Sequence, residues 1–478
     1  MEQAAAGHAV VMGGGVAGLL AARVLAEHDL DVRVLDRDEL GHRHEDGARR
    51  GVPQGRHIHA LLPRGRQILE ELFPGLTAQL VDAGAPRGDL LGDTRVQLSG
   101  HRFARADAGL STVSVSRPFL ESVVRARVRE LPNVTFAPAC DVLGLTTTPD
   151  RERVTGVRVL RRADSSAEEV LEAAVVVDAM GRGSRTPRWL GELGYDPPPE
   201  TEVAGDVGYA TRHYQLAPDV LGGDWGTLQG PTPTCLRGGA LARIEGDRWI
   251  VTLFGLLGDH PPAEPEGFLD FADSLTFPDL AQAIGAGEPL DEPVRMRFPA
   301  SVRRRYEQLR RFPHGLLPLG DGVCSLNPIY GQGMTVAALQ ALELRAHLGQ
   351  QTAPDPHRWL RRVAQIVDPA WDMVVGGDLA LPGVDGPRTL KVRALGAYIG
   401  RLHAAAATDP ELAVAFARVM ALVDPPTTLL RPRIAARVLL GGRRAISPDP
   451  SRASRARGDQ PSAAGGRATP RRNEEVRR

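Results

Sequence analysis

The stretch from residue 8 to residue 36, HAVVMGGGVAGLLAARVLAEHDLDVRVLD, leaves little freedom in how this chain begins its fold. A short apolar run, Ala9 to Met12, stops at three successive glycines. A proline-free segment with apolar periodicity then covers residues 16 to about 27, and a second, alternating run over 31–35 ends on Asp36. The order predicts strand, tight glycine turn, helix, strand, acid, which is the βαβ unit that grips an adenine dinucleotide. Gly13 permits the sharp exit from the strand, Gly15 lets backbone approach a pyrophosphate, and Gly18 lets the helix pack closely on the sheet. The helix opens with Val16 and Ala17, and its free N–H groups and positive dipole end favour phosphate. Asp36, 18 residues after Gly18, is placed to accept hydrogen bonds from ribose hydroxyls.

The bulk properties narrow the class. A length of 478 residues predicts two to three domains, and 42% hydrophobic with 24% charged residues is ordinary for a soluble globular protein. A net charge of zero gives no reason to expect nucleic acid as a partner. Lys391 is the single lysine beside a large number of arginines, which with abundant Ala, Gly and Pro reads as the codon usage of a GC-rich genome. Cys140, Cys235 and Cys324 are too widely spaced for a disulfide framework or a zinc set, so a reducing cytoplasm is the expected setting. The first strand comes so early that no signal peptide is expected, and no apolar run approaches the 18 or so residues that span a bilayer.

Further along, a polar loop from Arg37 to Arg56 ends in GVPQGRHIHALL. His57 and His59, two apart, would point the same way on a strand; with no further ligands nearby, a hydrogen-bonding or cofactor-side role is favoured over metal. A helix is predicted from Pro63 to about Phe73. Loosely alternating strands follow over 91–114, then a helix with Pro118 near its start and Arg117 at its mouth. There Arg117 either reaches a phosphate or ribityl chain or is a solvated surface arginine. Short strands follow over 134–159, with a hairpin near 149–153. AAVVVD at 173–178 reads as a buried parallel strand, and AMGRGSRTPRWL after it as a second glycine turn and helix. Residues 194–294 change character to strand-like runs at 207–214, 238–244 and 248–257 with a hairpin signal at Glu245-Gly246-Asp247, helix within 267–285, and another strand at 294–298. The division is thus a nucleotide-binding domain from 1–193 and 295–350, an antiparallel-sheet substrate domain at 194–294, a helical region at 351–446 and a disordered tail at 447–478.

The stretch from 315 to 348 identifies the dinucleotide. An apolar run, with Pro318 as an oddity inside a strand, ends at Gly320-Asp321. After Asn327-Pro328, Gly331-Gln332-Gly333 opens a long helix from Met334 to about Leu348. An acid at a strand end, followed by glycines and a helix N-terminus, suits a long ligand: Asp321 for a ribityl hydroxyl, the helix end for the negative charge that reduced flavin carries. That points to FAD rather than NAD.

GGGVAG with Asp36, DAMGRGS and GDGVCSLNPIYGQGM resemble the FAD-dependent monooxygenases of the para-hydroxybenzoate hydroxylase type. GVPQGRHIHALL and NPIYGQGM are most similar to the branch that includes the flavin epoxidases of bacterial polyether biosynthesis. The resemblance spans roughly residues 8 to 440. It implies a glutathione-reductase-like, Rossmann-like FAD-binding domain of α/β class with an inserted antiparallel-sheet substrate domain and a C-terminal helical region. It also implies that Gly13, Gly15, Val16, Ala17 and Gly18 bind pyrophosphate and that Asp36, with Arg37 next to it, binds the adenosine ribose. Arg117 and Asp321 would hold the ribityl–phosphate part, and Gly331, Gly333 and Met334 would border the isoalloxazine. The loop from Gln54 to His59 would lie among mobile flavin contacts. The chain departs from the pattern at Asp178-Ala179, where the family usually has Asp-Gly, so the resemblance does not carry an NAD(P)H role over to this segment.

The activity implied is transfer of one oxygen from a flavin C4a-hydroperoxide, with NAD(P)H as reductant, to a hydrophobic small molecule. Epoxidation of an alkene in a polyketide-type natural product, as in antibiotic biosynthesis, is the favoured reaction. An alkene needs no base, whereas a phenol is helped by one, and no catalytic residue is assignable. Tyr209, Tyr214 and Trp225 either line a pocket or belong to the core. The alternatives are an aromatic or polyketide ring hydroxylase, a flavin halogenase, disfavoured because the one lysine lies in a loop-like stretch, and a non-catalytic FAD-fold binding protein.

Overall fold

The computed structural model describes residues 7–41, 49–162, 167–349 and 355–441; the tail at 447–478 lies outside them. Five parallel strands lie side by side in the order Leu316–Pro318, Val175–Asp178, His8–Met12, Asp31–Leu35 and Val134–Ala137. Val11 is registered opposite both Val34 and Val177, and Met12 opposite both Leu35 and Asp178. The carboxyl ends of the three inner strands therefore finish level, which is where an open α/β sheet binds its ligand. Pro318 is accommodated because its strand is the sheet's edge, where no further neighbour needs its missing N–H.

Helix Val16–Ala26 follows the glycine turn and buries Leu19, Leu20, Val24 and Leu25 completely. Burial of four such side chains is worth about 1.5–3 kcal/mol each, so the sheet–helix contact, more than helix propensity, holds this segment. It packs against Gly333–Leu348, the helix that closes the nucleotide-binding part. A three-stranded antiparallel sheet, Cys140–Thr147, Val154–Arg161 and Glu168–Glu172, carries the expected hairpin at 148–153.

The second large sheet runs in the order Glu288–Pro289, Val207–Gln215, Trp249–Gly255, Arg237–Arg243, Gly226–Gln229, Thr94–Leu98 and His101–Arg102, with Val294–Phe298 also paired to Val207–Gln215. Thr94–Leu98 and His101–Arg102, which the sequence division leaves in the nucleotide-binding part, thus form its far edge. Thr94–Leu98 pairs in parallel with Gly226–Gln229, a long-range match that short-range patterning does not reveal. The expected helical region at 267–285 is two helices, Pro265–Asp273 and Asp279–Gly285. Four C-terminal helices follow: Pro356–Leu379, Leu390–Ala406, Pro410–Met420 and Pro432–Gly441. Among the described residues no helix is long and apolar enough to cross a membrane.

Candidate functional site

Of the helices that begin on the wall of one cavity, two begin bare. Arg117–Arg129, Pro356–Leu379, Leu390–Ala406 and Pro410–Met420 have their first amides capped by Ser116, Asp355, Thr389 and Asp409. Val16–Ala26 and Gly333–Leu348 start at Gly15 and Gln332 with no side-chain cap and no acid in the first turn. Their leading N–H groups are left for something else, as an anion site requires. The glycine turn is shaped to match. Gly13 has φ +108°, and a Cβ there would stand 2.5 Å from the Ala179 carbonyl oxygen. A Cβ on Gly18 would run into the Gly13 carbonyl oxygen. A Cβ on Gly15 would meet nothing within 4 Å, because it would project into the cavity.

Gly13, Gly15, Val16, Ala17, Asp36 and Arg37 line this cavity, whereas Gly18 does not and acts through packing alone. Asp36 is fixed by the Gly14 N–H at 3.0 Å and the Asp38 N–H at 2.8 Å, and by Arg49 Nη1 at 2.9 Å. Arg37 donates to the Arg50 carbonyl at 3.2 Å. The Arg49 guanidinium also reaches Asp38 at 3.2 Å and Glu121 at 2.5 Å, and Glu121 in turn receives Arg125 at 2.6 Å and Arg117 at 3.3 Å. Arg117 is therefore a buried, anchored cation on the cavity wall and not a solvated surface arginine. Burial alone would raise the Glu121 carboxyl, but Arg117, Arg49 and Arg125 together hold it below the usual carboxylate range. Sequence reasoning missed Arg49 and Glu121. The four-residue spacings from Arg117 to Glu121 to Arg125 were the available signal for the acid; Arg49 gave none.

At the other end, Asp321, Gly331, Gly333 and Met334 line the same cavity. Burial raises the Asp321 carboxyl, while Arg117 and Arg182 pull it down. Gly331 takes φ +66°, so the loop turns back toward Ala60. Behind the loop, Asn327 Nδ2 and the Tyr330 hydroxyl each donate to Asp378 Oδ1 at 3.0 Å. Asp378 sits in the last turn of Pro356–Leu379 and is 1% exposed; burial pushes its carboxyl up to about 6. Neither Asp378 nor Arg182 was singled out by sequence.

The cavity has a volume of about 2080 Å³ and continues past the antiparallel sheet to the C-terminal helices. A pocket for one drug-sized ligand is about 300–1,000 Å³, so there is room for a long cofactor and a second molecule. Tyr209 and Trp225 line it, and Tyr214 lies in the core. His57 and His59 line it too, but outside any strand. The chain from 57 to 62 is irregular, with His57 Nδ1 2.7 Å from Thr211 Oγ1 and His59 Nδ1 2.9 Å from the His57 carbonyl. Burial, with Arg56 nearby, lowers the His57 ring to about 4, and burial, with Arg117 facing it, lowers His59 to about 3. No group of three or more potential metal ligands occurs among the described residues. Asp178 is a turn anchor: it is buried and accepts from the Ser184 hydroxyl and the Met180 N–H. Lys391, expected in a loop, lies in the first turn of Leu390–Ala406, exposed at the cavity's rim.

Residues 11–72 match the family described as an NAD(P)-binding Rossmann-like domain. Among solved structures, the flavin-dependent brominase Bmp2 aligns with a TM-score of 0.64 at 17% identity, covering 94% of this chain and 100% of that one. A flavoprotein/dehydrogenase from Cytophaga hutchinsonii aligns at 0.65 and 15% identity over 91% of this chain and 98% of the other. PqsL of Pseudomonas aeruginosa, described as a probable FAD-dependent monooxygenase, aligns at 0.55 and 19% identity over 86% and 99%. These likenesses establish a shared fold. In sequence, Protein Rv3254 of Mycobacterium tuberculosis is 36% identical over 437 residues, which is 87% of this chain and 90% of the relative. The chain belongs to the family of Protein Rv3254, built on the Rossmann-like fold that it shares with these flavoproteins.

Proposed function

We propose that this protein is an FAD-dependent monooxygenase that uses NAD(P)H and O2 to place one oxygen atom on a lipophilic small molecule. The observation that carries the reading is the pair of uncapped helix N-termini, with Asp321 beside the second, on the wall of a single cavity. FAD is the ligand whose two ends suit both. Gly13 to Ala17 and Asp36 would hold its adenosine diphosphate end, Asp321 and Arg117 its ribityl part, and the loop from Gly331 to Met334 its ring. Bound FAD supplies the redox and oxygen chemistry. The chain's residues contribute the rest: Arg49 and Glu121 fix Asp36 and Arg117, Asp378 clamps the ring loop from behind, and the largely apolar wall would limit water at the reacting centre.

The favoured reaction is epoxidation of an alkene in a polyketide-type product. Support comes from the wall histidines, whose lowered basicity makes them poor acceptors for a phenolic proton, while an alkene has no proton to remove. Ring hydroxylation is the alternative. The three cysteines are unpaired, which suits the reducing cytoplasm where we place the enzyme.

Purified protein is expected to be yellow, to bleach with NAD(P)H and to recover colour in air. A colourless preparation that FAD cannot reconstitute would overturn the assignment. NAD(P)H consumption against a panel of alkenes and phenols, with mass spectrometry for one added oxygen, separates the two reactions. Oxygen gain by phenols alone rules out the epoxidase reading.

A further inference from the structure

The histidine pair in GVPQGRHIHALL lies on the wall of the proposed site's cavity, and its hydrogen bonds run in a fixed direction. Thr211 and Thr252 face each other across neighbouring antiparallel strands, Val207–Gln215 and Trp249–Gly255, with hydroxyl oxygens 2.6 Å apart. The Ile58 N–H lies 3.0 Å from Thr252 Oγ1, and a backbone amide can only donate. Thr252 therefore accepts there, and its own proton goes to Thr211. Thr211 in turn donates to His57 Nδ1 at 2.7 Å. The reverse direction would give Thr252 two donors and leave its own buried proton without an acceptor among the described residues, which native interiors avoid. His57 Nδ1 is thus the bare nitrogen, and the ring's hydrogen sits on Nε2. Nε2 has no partner among the described residues and is not sealed, so it opens on the cavity that His57 lines. His59 has the opposite tautomer: its Nδ1 must donate to the His57 carbonyl at 2.9 Å.

The two rings serve different sides. His57 is docked on the antiparallel sheet, while His59 faces Arg117 and precedes Ala60, which touches the turn at Gly331. The Tyr209 ring lies beside His57, with centroids 5.6 Å apart and its hydroxyl sealed, and the wall of the same cavity also carries Leu228, Leu241, Phe254, Met296 and Phe298. An open, uncharged donor in a largely apolar wall recognises one thing well: a single uncharged oxygen acceptor on an otherwise hydrophobic molecule. Burial keeps the ring unprotonated near neutral pH, so the donor carries no charge to attract an anion.

We propose that His57 is a substrate-positioning residue, held as an Nε2–H donor by the Ile58–Thr252–Thr211 relay, and that it selects lipophilic substrates bearing a carbonyl-type oxygen. This rests on the cavity being the substrate chamber of the enzyme proposed above. Fluorenone and fluorene, which differ by one carbonyl oxygen, serve as probes with both FAD-treated and untreated protein. The wild type is expected to bind fluorenone about tenfold tighter, His57→Phe to bind the two equally, and His57→Gln, which restores an N–H, to regain part of the preference. Nitrogen-15 NMR of the histidine rings reads the tautomer directly and without flavin. Equal binding by the wild type, retained preference in His57→Phe, or a proton found on Nδ1 of His57 each overturns the proposal. Failure to take up FAD would show separately, as absent colour, and would sink the enzyme reading while the tautomer is still measured.

Discussion

Three glycines in one turn do three different jobs, and their neighbours tell them apart. Gly13 needs its positive φ, Gly18 has no room for a Cβ, and Gly15 has only open cavity before it. Gly15→Val is therefore expected to leave thermal stability within about 1 kcal/mol of the wild type while weakening FAD retention at least tenfold, read as flavin absorbance after dialysis. Gly18→Ala should destabilise by at least about 2 kcal/mol in chemical denaturation. Similar losses of stability in both variants would contradict this division of roles. The glycine spacing was legible because it is local. Arg49 was not, since its value comes from reaching Asp36, Asp38 and Glu121 across a loop that looks only polar. Removing the central acid with Glu121→Gln leaves three arginines under-compensated, a cost of about 3 kcal/mol at pH 7. The Glu121 carboxyl is held low by those arginines, so its stabilisation is complete above the unfolded value of about 4.3 and is lost as pH falls below it. Acid-denaturation curves should show that loss in the wild type and a flatter profile in Glu121→Gln.

Among elements, the periodic helices and the buried parallel strands were readable because each carries its own hydrophobic signature. Two features escaped the sequence for a common reason. His57 and His59 alternate as a strand would, yet the side-chain bond of His57 to Thr211, in another sheet, holds the segment irregular. Asp378 lies in a helical turn rich in Gly and Leu, where no local rule flags a carboxylate; only the fold brings it under Asn327 and Tyr330. Its carboxyl is raised to about 6 by burial, opposed by those two hydrogen bonds. The sign is opposite to that of Glu121: a raised acid destabilises when ionised, so this site gains stability as pH falls from about 7 toward 4. Asp378→Asn retains an acceptor for the Tyr330 hydroxyl and the Asn327 amide without the charge. Its stability at pH 7 is expected to equal or exceed that of the wild type by up to about 2–3 kcal/mol, with the gain fading at pH 4. A variant less stable than the wild type at pH 7 would show that the carboxylate itself is needed to hold the loop.

At the scale of the whole molecule, the site exists only because distant segments meet. The glycine turn at residue 13 and the loop at 331 are more than 300 residues apart in sequence, yet they line one cavity. The two ends we assign to the cofactor were legible as separate motifs. That Thr94–Leu98 completes the antiparallel sheet was not, because parallel pairing with Gly226–Gln229 depends on register between segments with no common pattern. A ligand that spans the cavity must order both ends together, and hydrogen exchange tests this directly. On adding FAD, amides at 13–16 and 331–334 are expected to slow by at least about tenfold in concert. Amides of Val207–Gln215 and Trp249–Gly255, already paired in the ladder, should change little. ADP should protect only the first set, since it lacks the ribityl chain and ring that would reach the second. Protection of 13–16 alone by FAD would mean that the ligand stops at the glycine turn. The assignment of Asp321 and the 331–334 loop to the same cofactor would then fall, although the Rossmann-like half would stand.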